Sequence, residues 1–480
     1  MEPHHLDPRF ATDAYSQRIG ELLYSSLVRV DGAGQIVPDL AERWEGVGAR
    51  EFTFVLRQNV SFHNDAPFSA DDVQYTFKTL LDEKYNSPLR AAFQDISEID
   101  SISQYTIKFT LRQPNAAFLT SLAAARIVPK CRTCEAGEDW VKSGEPAPGT
   151  GPYLLKMRDS QEIRLEGFPN YFGGAPRQKE IIFRIVRDDN TRFLKFKVGE
   201  VDFLQNALPA HYVLQLKEEN RYRFQTVPGT NYEYLGFNMS NPLLKDRRLR
   251  QAIAYGIDRD AIMQHVYKGM ATLSTGLLPP NNPYYNAQVV RYLHNPERAR
   301  KLLDEAGFKD PDGKGPKPRL TLSLLTSTNN DTVQIARIIR HQLQQIGIEV
   351  TQESREWGTF FSDIQQGKFQ LFVMRWVGIT DPDLYHDIFH SAQLPPGRNR
   401  GRYANPDIDR LVEMGRQEGD PKKRKPIYDR IQAIVSEDLP YVSLWHVQNV
   451  VLSQPHIENF EPASTGSFFA LASVSTRRQK

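Results

Sequence analysis

The chain has 480 residues, 40% hydrophobic and 25% charged, which is too long for one ordinary core and sets the expectation of two large lobes. Lys and Arg number 60 against 58 Asp and Glu, a net charge of +2, and this balance argues against the basic surplus of a nucleic-acid binder. No run of about 18 apolar residues occurs, so no segment reads as a membrane-spanning helix.

No charged, then apolar, then small-residue leader opens the chain; structured-looking sequence begins at Leu6-Asp7-Pro8. A secreted protein with its leader trimmed and a cytoplasmic protein both read this way. Phe52, Phe54 and Leu56 alternate with Thr53 and Val55 as a strand, and Asn64-Asp65 makes a turn. Ser69-Ala-Asp-Asp72 is a capping box, followed by Val73, Phe77, Leu80 and Leu81 on one helix face. Residues 101–111 alternate as one strand. Cys131 and Cys134 are the only cysteines. A lone C-x-x-C can be redox-active, half a metal site or a short disulfide. No second pair or nearby His completes a zinc tetrad, and the expectation is a loop-stapling disulfide. Residues 137–152 form a Gly/Pro-rich loop ending in GTGPY at 149–153. Strands follow at 153–157, 162–168 and 180–187, then a helix from Thr191 to Val198.

From about residue 246 the pattern changes. Helices are predicted over 246–256 and 258–268, and another opens at Asn295-Pro296 and stops at Gly307. A strand through Leu320, Leu322 and Leu324 precedes a helix carrying Ile335, Ile338, Ile339, Leu343 and Ile346. Strand Ile348–Val350, a short helix with Phe360, Phe361 and Ile364, and strand 369–376 complete a β-α-β-α-β order. Parallel strands need such crossovers, so this half is an α/β lobe with a largely parallel sheet. Ligands bind beyond the carboxyl ends of such strands, which directs attention to 377–390. Asp310-Pro-Asp312-Gly313 reads as a turn rather than a calcium loop. Helices near 406–417 and 421–437 follow, with Pro426 expected to kink the second or delay its start. The basic run Lys422, Lys423, Arg424 and Lys425 then lies in a solvated first turn. Tyr441 to Leu452 is a returning strand.

No G-x-S-x-G elbow, P-loop, dinucleotide fingerprint or H-E-x-x-H occurs, so no catalytic residue is assigned. His386 and His390 stand one helical turn apart, with Asp381 and Asp383 nearby. They read either as metal ligands or as two polar residues on a short helix. Trp357, Trp376, Tyr232 and Tyr234 supply aromatic walls of the kind that line small-molecule clefts, and each equally suits a core. Arg375, beside Trp376, and Tyr15, near the chain start, join the ligand-facing candidates.

The chain resembles solute-binding protein family 5, the oligopeptide, dipeptide and nickel binders of ABC transporters. The resemblance rests on IVPDLAERWE at 36–45, FTFVLRQNVSFHNDAPFSADDVQYTF at 52–77, GTGPY at 149–153, LGFNMSNPLLKDRRLRQAIAYGIDRDAI at 235–262, NPERARKLLDEAGF at 295–308 and RYANPDIDRLV at 402–412. It implies a type II periplasmic-binding-protein fold, two lobes around a cleft. Lobe I would be 1–232 plus 448–480, with an inserted subdomain at about 38–148, and lobe II 235–447. Crossover strands would run near Asn231–Phe237 and Tyr441–Val450. It further implies a monomeric, cofactor-free subunit on the periplasmic or extracellular face of the membrane, with lipid anchoring left open. That subunit would capture a small solute by lobe closure and pass it to inner-membrane permease subunits. The alternatives are a binder of a metal ion or complex such as nickel, using His386 and His390, and more remotely a hydrolase.

One departure stands out. Peptide binders of the family keep an Asp three residues beyond the tryptophan here matched by Trp376, where it pairs with the peptide ammonium; this chain has Ile379. Either Asp381 takes over or the ligand is not an ordinary peptide. If the position faces a solvated cleft, Ile379→Asp is expected to be tolerated.

Overall fold

In the computed structural model, which describes residues 3–32, 34–130, 146–313 and 315–477, the Asp72 carboxylate accepts the Ser69 backbone N–H at 2.8 Å. This closes the capping box that starts helix Ala70–Leu81. Cys131 and Cys134, and with them the expected disulfide, lie outside the described residues. The chain divides into two compact units. One comprises Met1–Leu208, Gln215–Val227 and Asn449–Lys480; the other comprises Pro209–Leu214 and Pro228–Gln448.

In the first unit, strands Ala41–Val47, Glu51–Leu56, Thr106–Leu111 and Ile96–Ser103 form an antiparallel sheet in that order. Phe52, Phe54 and Leu56 point inward and meet Val73, Phe77 and Leu80 of the helix in one apolar cluster. The stretch 101–111 is thus the end of one strand and all of the next. The two-residue turn at Gln104-Tyr105 shifts the alternation by one, and an irregularity between Ser101 and Ser103 shifts it back, so periodicity alone reads through it. A second antiparallel sheet, Tyr153–Arg158, Glu162–Gly167 and Glu180–Arg184, follows the GTGPY loop. That loop runs against the end of helix Ala14–Leu23. A Cβ on Gly149 would stand 1.8 Å from the Leu23 carbonyl oxygen, and one on Gly151 2.4 Å from that of Leu22. Only glycine permits the approach.

In the second unit, whose first two ten-residue helices are α1 (Arg247–Gly256) and α2 (Pro296–Glu305), a mixed sheet has both faces covered by helices. Its strands are β1 (Arg223–Phe237, from Pro228 onward), β2 (Ala271–Leu273), β3 (Leu320–Ser327), β4 (Ile348–Arg355), β5 (Leu371–Trp376) and β6 (Tyr441–Ser453, as far as Gln448). The order is β6-β1-β5-β3-β4, with β2 on β6. β3 runs parallel to β4 and to β5, whereas β1 runs antiparallel to β5, and β2 to β6. The expected largely parallel sheet is therefore mixed. Only β3, β4 and β5 are joined by the crossover helices that parallel neighbours require, namely α3 (Asn330–Gln344) and α4 (Trp357–Gln366).

Residues 229–237 of β1 are buried without a break, because side chains on both faces meet helices. Leu235, Phe237 and Val373 join Ile335, Ala336, Ile339 and Leu343 of α3 on one face. Tyr232, Tyr234, Phe372, Met374 and Trp376 lie on the other. There they meet α4, α5 (Leu384–Phe389), α6 (Pro406–Gln417) and α7 (Pro421–Asp438).

Helix α7 starts at Pro421, capped by Asp420, and runs through Pro426, so its start is not delayed. The fixed φ of Pro421 suits the first position of a helix, and Pro426 forfeits one intrahelical bond. The helix expected over 258–268 is α-helical only for Arg259–Ile262, then widens into a π turn over Met263–Tyr267.

Candidate functional site

The parallel strands β3, β4 and β5 end at Ser327, Arg355 and Trp376, and the polar chemistry gathers there. Glu233 on β1 pairs directly across from Arg375 on β5. The Glu233 carboxylate, 1% exposed, accepts hydrogen bonds from Tyr267 Oη at 2.6 Å, Trp445 Nε1 at 2.6 Å and Arg375 Nη2 at 3.4 Å. The π turn is what carries Tyr267 to this point. Burial works against the charge of Arg375, but Glu233, with Tyr267 and Asp331, outweighs it and holds the guanidinium pKa above its ordinary value. Burial, then Glu233, pushes the Tyr267 phenol well above its usual range. Arg375 keeps 35% of its side chain exposed, while its Nε is buried and has no hydrogen-bond partner.

The segment after β5 is pinned on all sides. Gly378 donates its N–H to Asn231 Oδ1 at 3.1 Å, and Ile379 donates to the Thr230 carbonyl at 3.2 Å. The Ile379 side chain is 2% exposed inside the apolar cluster of Tyr232, Trp376 and Tyr385. A carboxylate there would be desolvated, so the expected tolerance of Ile379→Asp is withdrawn. Asp381 forms a two-bonded pair with Arg424. Asp383 binds Arg416 at 2.8 Å. Asp387 lies against Arg398 at 3.0 Å and Arg416 at 3.5 Å. Burial pushes Asp387 upward, but His386 and the two arginines overcome it and bring its pKa to about 2.

His386 and His390 have ring centroids 4.8 Å apart. His390 accepts the Ala392 N–H on Nδ1 and meets Glu413 on Nε2, while His386 Nδ1 lies 3.6 Å from Asp387. Both nitrogens of His390 are thus taken. Among the described residues no group of three or more His, Cys, Asp or Glu side chains is arranged to hold a metal ion.

Trp376, 9% exposed, lies beneath Arg400, whose guanidinium carbon is 4.0 Å from the ring centroid. Tyr232 stacks on Tyr234 at 5.5 Å, and its hydroxyl meets Ser443 Oγ at 2.7 Å. Trp357 opens α4, half-buried, 6.0 Å from Phe361. Tyr15 belongs to the first unit, in the opening turn of helix Ala14–Leu23. The second unit thus brings Tyr232, Tyr234, Trp376 and Ile379 together on the face covered by α4 to α7, and places Arg375 with Glu233 on the opposite face. Asp381 and Asp383 are nearby but committed to arginines. Sequence reasoning missed Glu233, Tyr267, Arg400, Arg416 and Arg424. Of these only Glu233 left a signal, a lone carboxylate within a buried run of aromatic and apolar residues.

The family model for bacterial extracellular solute-binding proteins, family 5 (middle), matches residues 35–393. The oligopeptide-binding protein AppA of Bacillus subtilis is 27% identical over 478 residues, covering 96% of this chain and 87% of that protein. Its structure with a nonapeptide matches with a TM-score of 0.91 at 26% identity, covering 99% of this chain and 97% of that one. The dipeptide-binding protein of Escherichia coli is 28% identical, covering 92% of this chain and 87% of its own. AgaA from A. tumefaciens R10, solved with agropinic acid, matches with a TM-score of 0.87 at 25% identity, covering 100% and 98%.

Proposed function

We propose that this chain, which belongs to the family 5 bacterial extracellular solute-binding proteins, captures a small polar solute that is not held by a peptide ammonium. Its two-unit α/β fold is the fold of that family, and among the described residues no helix is long and apolar enough to cross a membrane. The family's binding proteins serve ABC importers, and this chain takes the same part at the outer face of a membrane. It binds without making or breaking bonds.

The observation that carries the ligand reading is the state of the loop after β5. Ile379 is buried among apolar side chains, and the next carboxylates along the chain, Asp381 and Asp383, are engaged by Arg424 and Arg416. A peptide ammonium placed there would meet no free counter-charge, and an unpaired buried charge is costly. Of the cations on this sheet, Arg400 over Trp376 has no carboxylate at ion-pair distance among the described residues, and Arg375, paired with Glu233, keeps 35% of its side chain exposed. Relatives are solved with a nonapeptide and with agropinic acid, so a non-peptide solute lies within the range of this fold.

Native mass spectrometry of freshly purified protein, paired with calorimetric titration of a di- to pentapeptide library, tests this reading. A carried non-peptide molecule and no peptide binding is the expected result. Micromolar or tighter binding across ordinary peptides would refute it.

A further inference from the structure

On the sheet face that packs against α4 to α7, four polar atoms converge without closing ordinary hydrogen bonds. Tyr234 on β1 and Tyr441 on β6 stack with ring centroids 4.2 Å apart. Trp376 sits diagonally from Tyr234 on the same face, since Tyr234 pairs with Met374. Arg400 lies across them. Its guanidinium covers the Trp376 ring at 4.0 Å and Phe361 at 5.2 Å, and Nη1 reaches Met374 Sδ at 2.8 Å. The next residue, Gly401, brings the backbone down onto Tyr441: a Cβ there would stand 3.2 Å from a ring carbon and 4.0 Å from the hydroxyl. Tyr234, Tyr441 and Trp376 are all at least nine-tenths buried. Yet Tyr234 Oη, Tyr441 Oη, Trp376 Nε1 and Arg400 Nε are each shielded from solvent with no hydrogen-bond partner. Burial raises the Tyr234 phenol, and Arg400, Tyr441 and Trp376 face it closely enough to oppose that rise.

The chemistry of this group is dominated by donors. A guanidinium and an indole N–H only donate, while each phenol oxygen both donates and accepts. Among the described residues no Asp or Glu stands at ion-pair distance from Arg400. The phenol oxygens can accept, but they are neutral, so the guanidinium lacks one component, a counter-charge. A carboxylate supplies it, with two oxygens, about four acceptor positions and one negative charge.

We propose that Arg400, Trp376, Tyr234 and Tyr441 form a carboxylate-binding pocket, and that the captured solute places an acidic group there. The second half of this inference rests on the solute-binding reading above; the pocket itself does not. Arg400 is only partly buried, which leaves it an approach from solvent. Stacking on Trp376 fixes the guanidinium plane, so its donors are held in place before the anion arrives.

The probe is acetate, with acetamide as its neutral isostere, titrated in a low-salt zwitterionic buffer and read by thermal shift and by calorimetry. Acetate should bind and stabilise wild type, and acetamide should not. R400Q should weaken acetate about tenfold or more, and Y441F, which removes only the hydroxyl, and W376F, which removes the indole N–H and leaves a smaller ring, about threefold to tenfold. Acetamide matching acetate, or R400Q binding acetate like wild type, would mean the pocket holds only water and would overturn the proposal. Native mass spectrometry separates the two sources of a carboxylate. A carried acidic solute that is lost from R400Q supports the full inference. A tightly carried solute with no acidic group, together with no acetate effect, leaves solute capture standing and sinks the pocket. Acetate binding at these residues with no solute found in any screen keeps the pocket and sinks the solute reading.

Discussion

Asp381 and Arg424 grip each other through two hydrogen bonds, Oδ1 to Nη2 at 2.9 Å and Oδ2 to Nη1 at 3.2 Å, and Arg424 spends its Nε on the Gly415 carbonyl at 2.9 Å. Burial opposes the charge of Arg424, and Asp381, with Tyr428 and Asp383, more than restores it. This carboxylate is a structural brace for the loop after β5 rather than a free acceptor.

Asp381→Asn should therefore lower stability and leave peptide affinity where it was. Loss of one partner of a buried pair costs about 3–5 kcal/mol, and the partial exposure of Asp381, 20%, brings the expected loss to about 2–3 kcal/mol. Denaturant unfolding measures it. A variant as stable as wild type that has lost peptide binding would return Asp381 to the role of ammonium partner.

Ile379→Asp should fold poorly. The side chain is buried in an apolar cluster, and an unpaired carboxylate there costs several kcal/mol, of which some is recovered by protonation. Ile379→Val, which removes one methylene, should cost about 0.5–1.5 kcal/mol. Soluble yield and melting temperature report both. An Asp variant with wild-type melting behaviour would show that this side chain faces water.

Glu233→Gln should destabilise the second unit by about 3 kcal/mol, because Arg375 loses its counter-charge and the Tyr267 and Trp445 donors keep a weaker acceptor. Indole emission from Trp445, whose N–H is bonded to this carboxylate, should shift at the same time. Unchanged emission with unchanged unfolding would mean that the carboxylate organises nothing.

Stability should fall as pH drops from about 6.5 to 4 through His446. Burial lowers its pKa to about 4, with nearby backbone carbonyls of Gly276, Leu278 and Asn231 only partly opposing. The unfolded chain takes up a proton near pH 6.5 that the folded chain refuses until about 4, so the folded state loses ground across that window and is unaffected above it. The full effect is about 3 kcal/mol. His63 acts in the same direction, lowered to about 4 by burial. Asp39, raised by burial to about 6, acts in the opposite one between about 4 and 6, since its folded state binds the extra proton. Comparing wild type with His446→Gln at each pH isolates one term. Parallel pH profiles for the two proteins would rule it out.

The sequence by itself determined whatever is encoded within one or two turns of chain. The stripe Ile335, Ile339 and Leu343 with Gly347 after it marked α3, and Ser69 with Asp72 marked a helix start, because burial faces and caps follow from local spacing. The order β-α-β-α-β located the edge at Trp376 for the same reason. Tertiary structure alone decided what that edge offers. Whether Asp381 is free depends on Arg424, 43 residues later on another helix, and the roof over Trp376 is Arg400, which no spacing rule connects to it. The mixed sheet was decided the same way, since the direction of β1 against β5 depends on how the chain returns and not on either strand's pattern. Local geometry sets where a side chain points, but the charge or ring it meets is chosen by topology, and at this site those meetings settle which groups remain available to a solute.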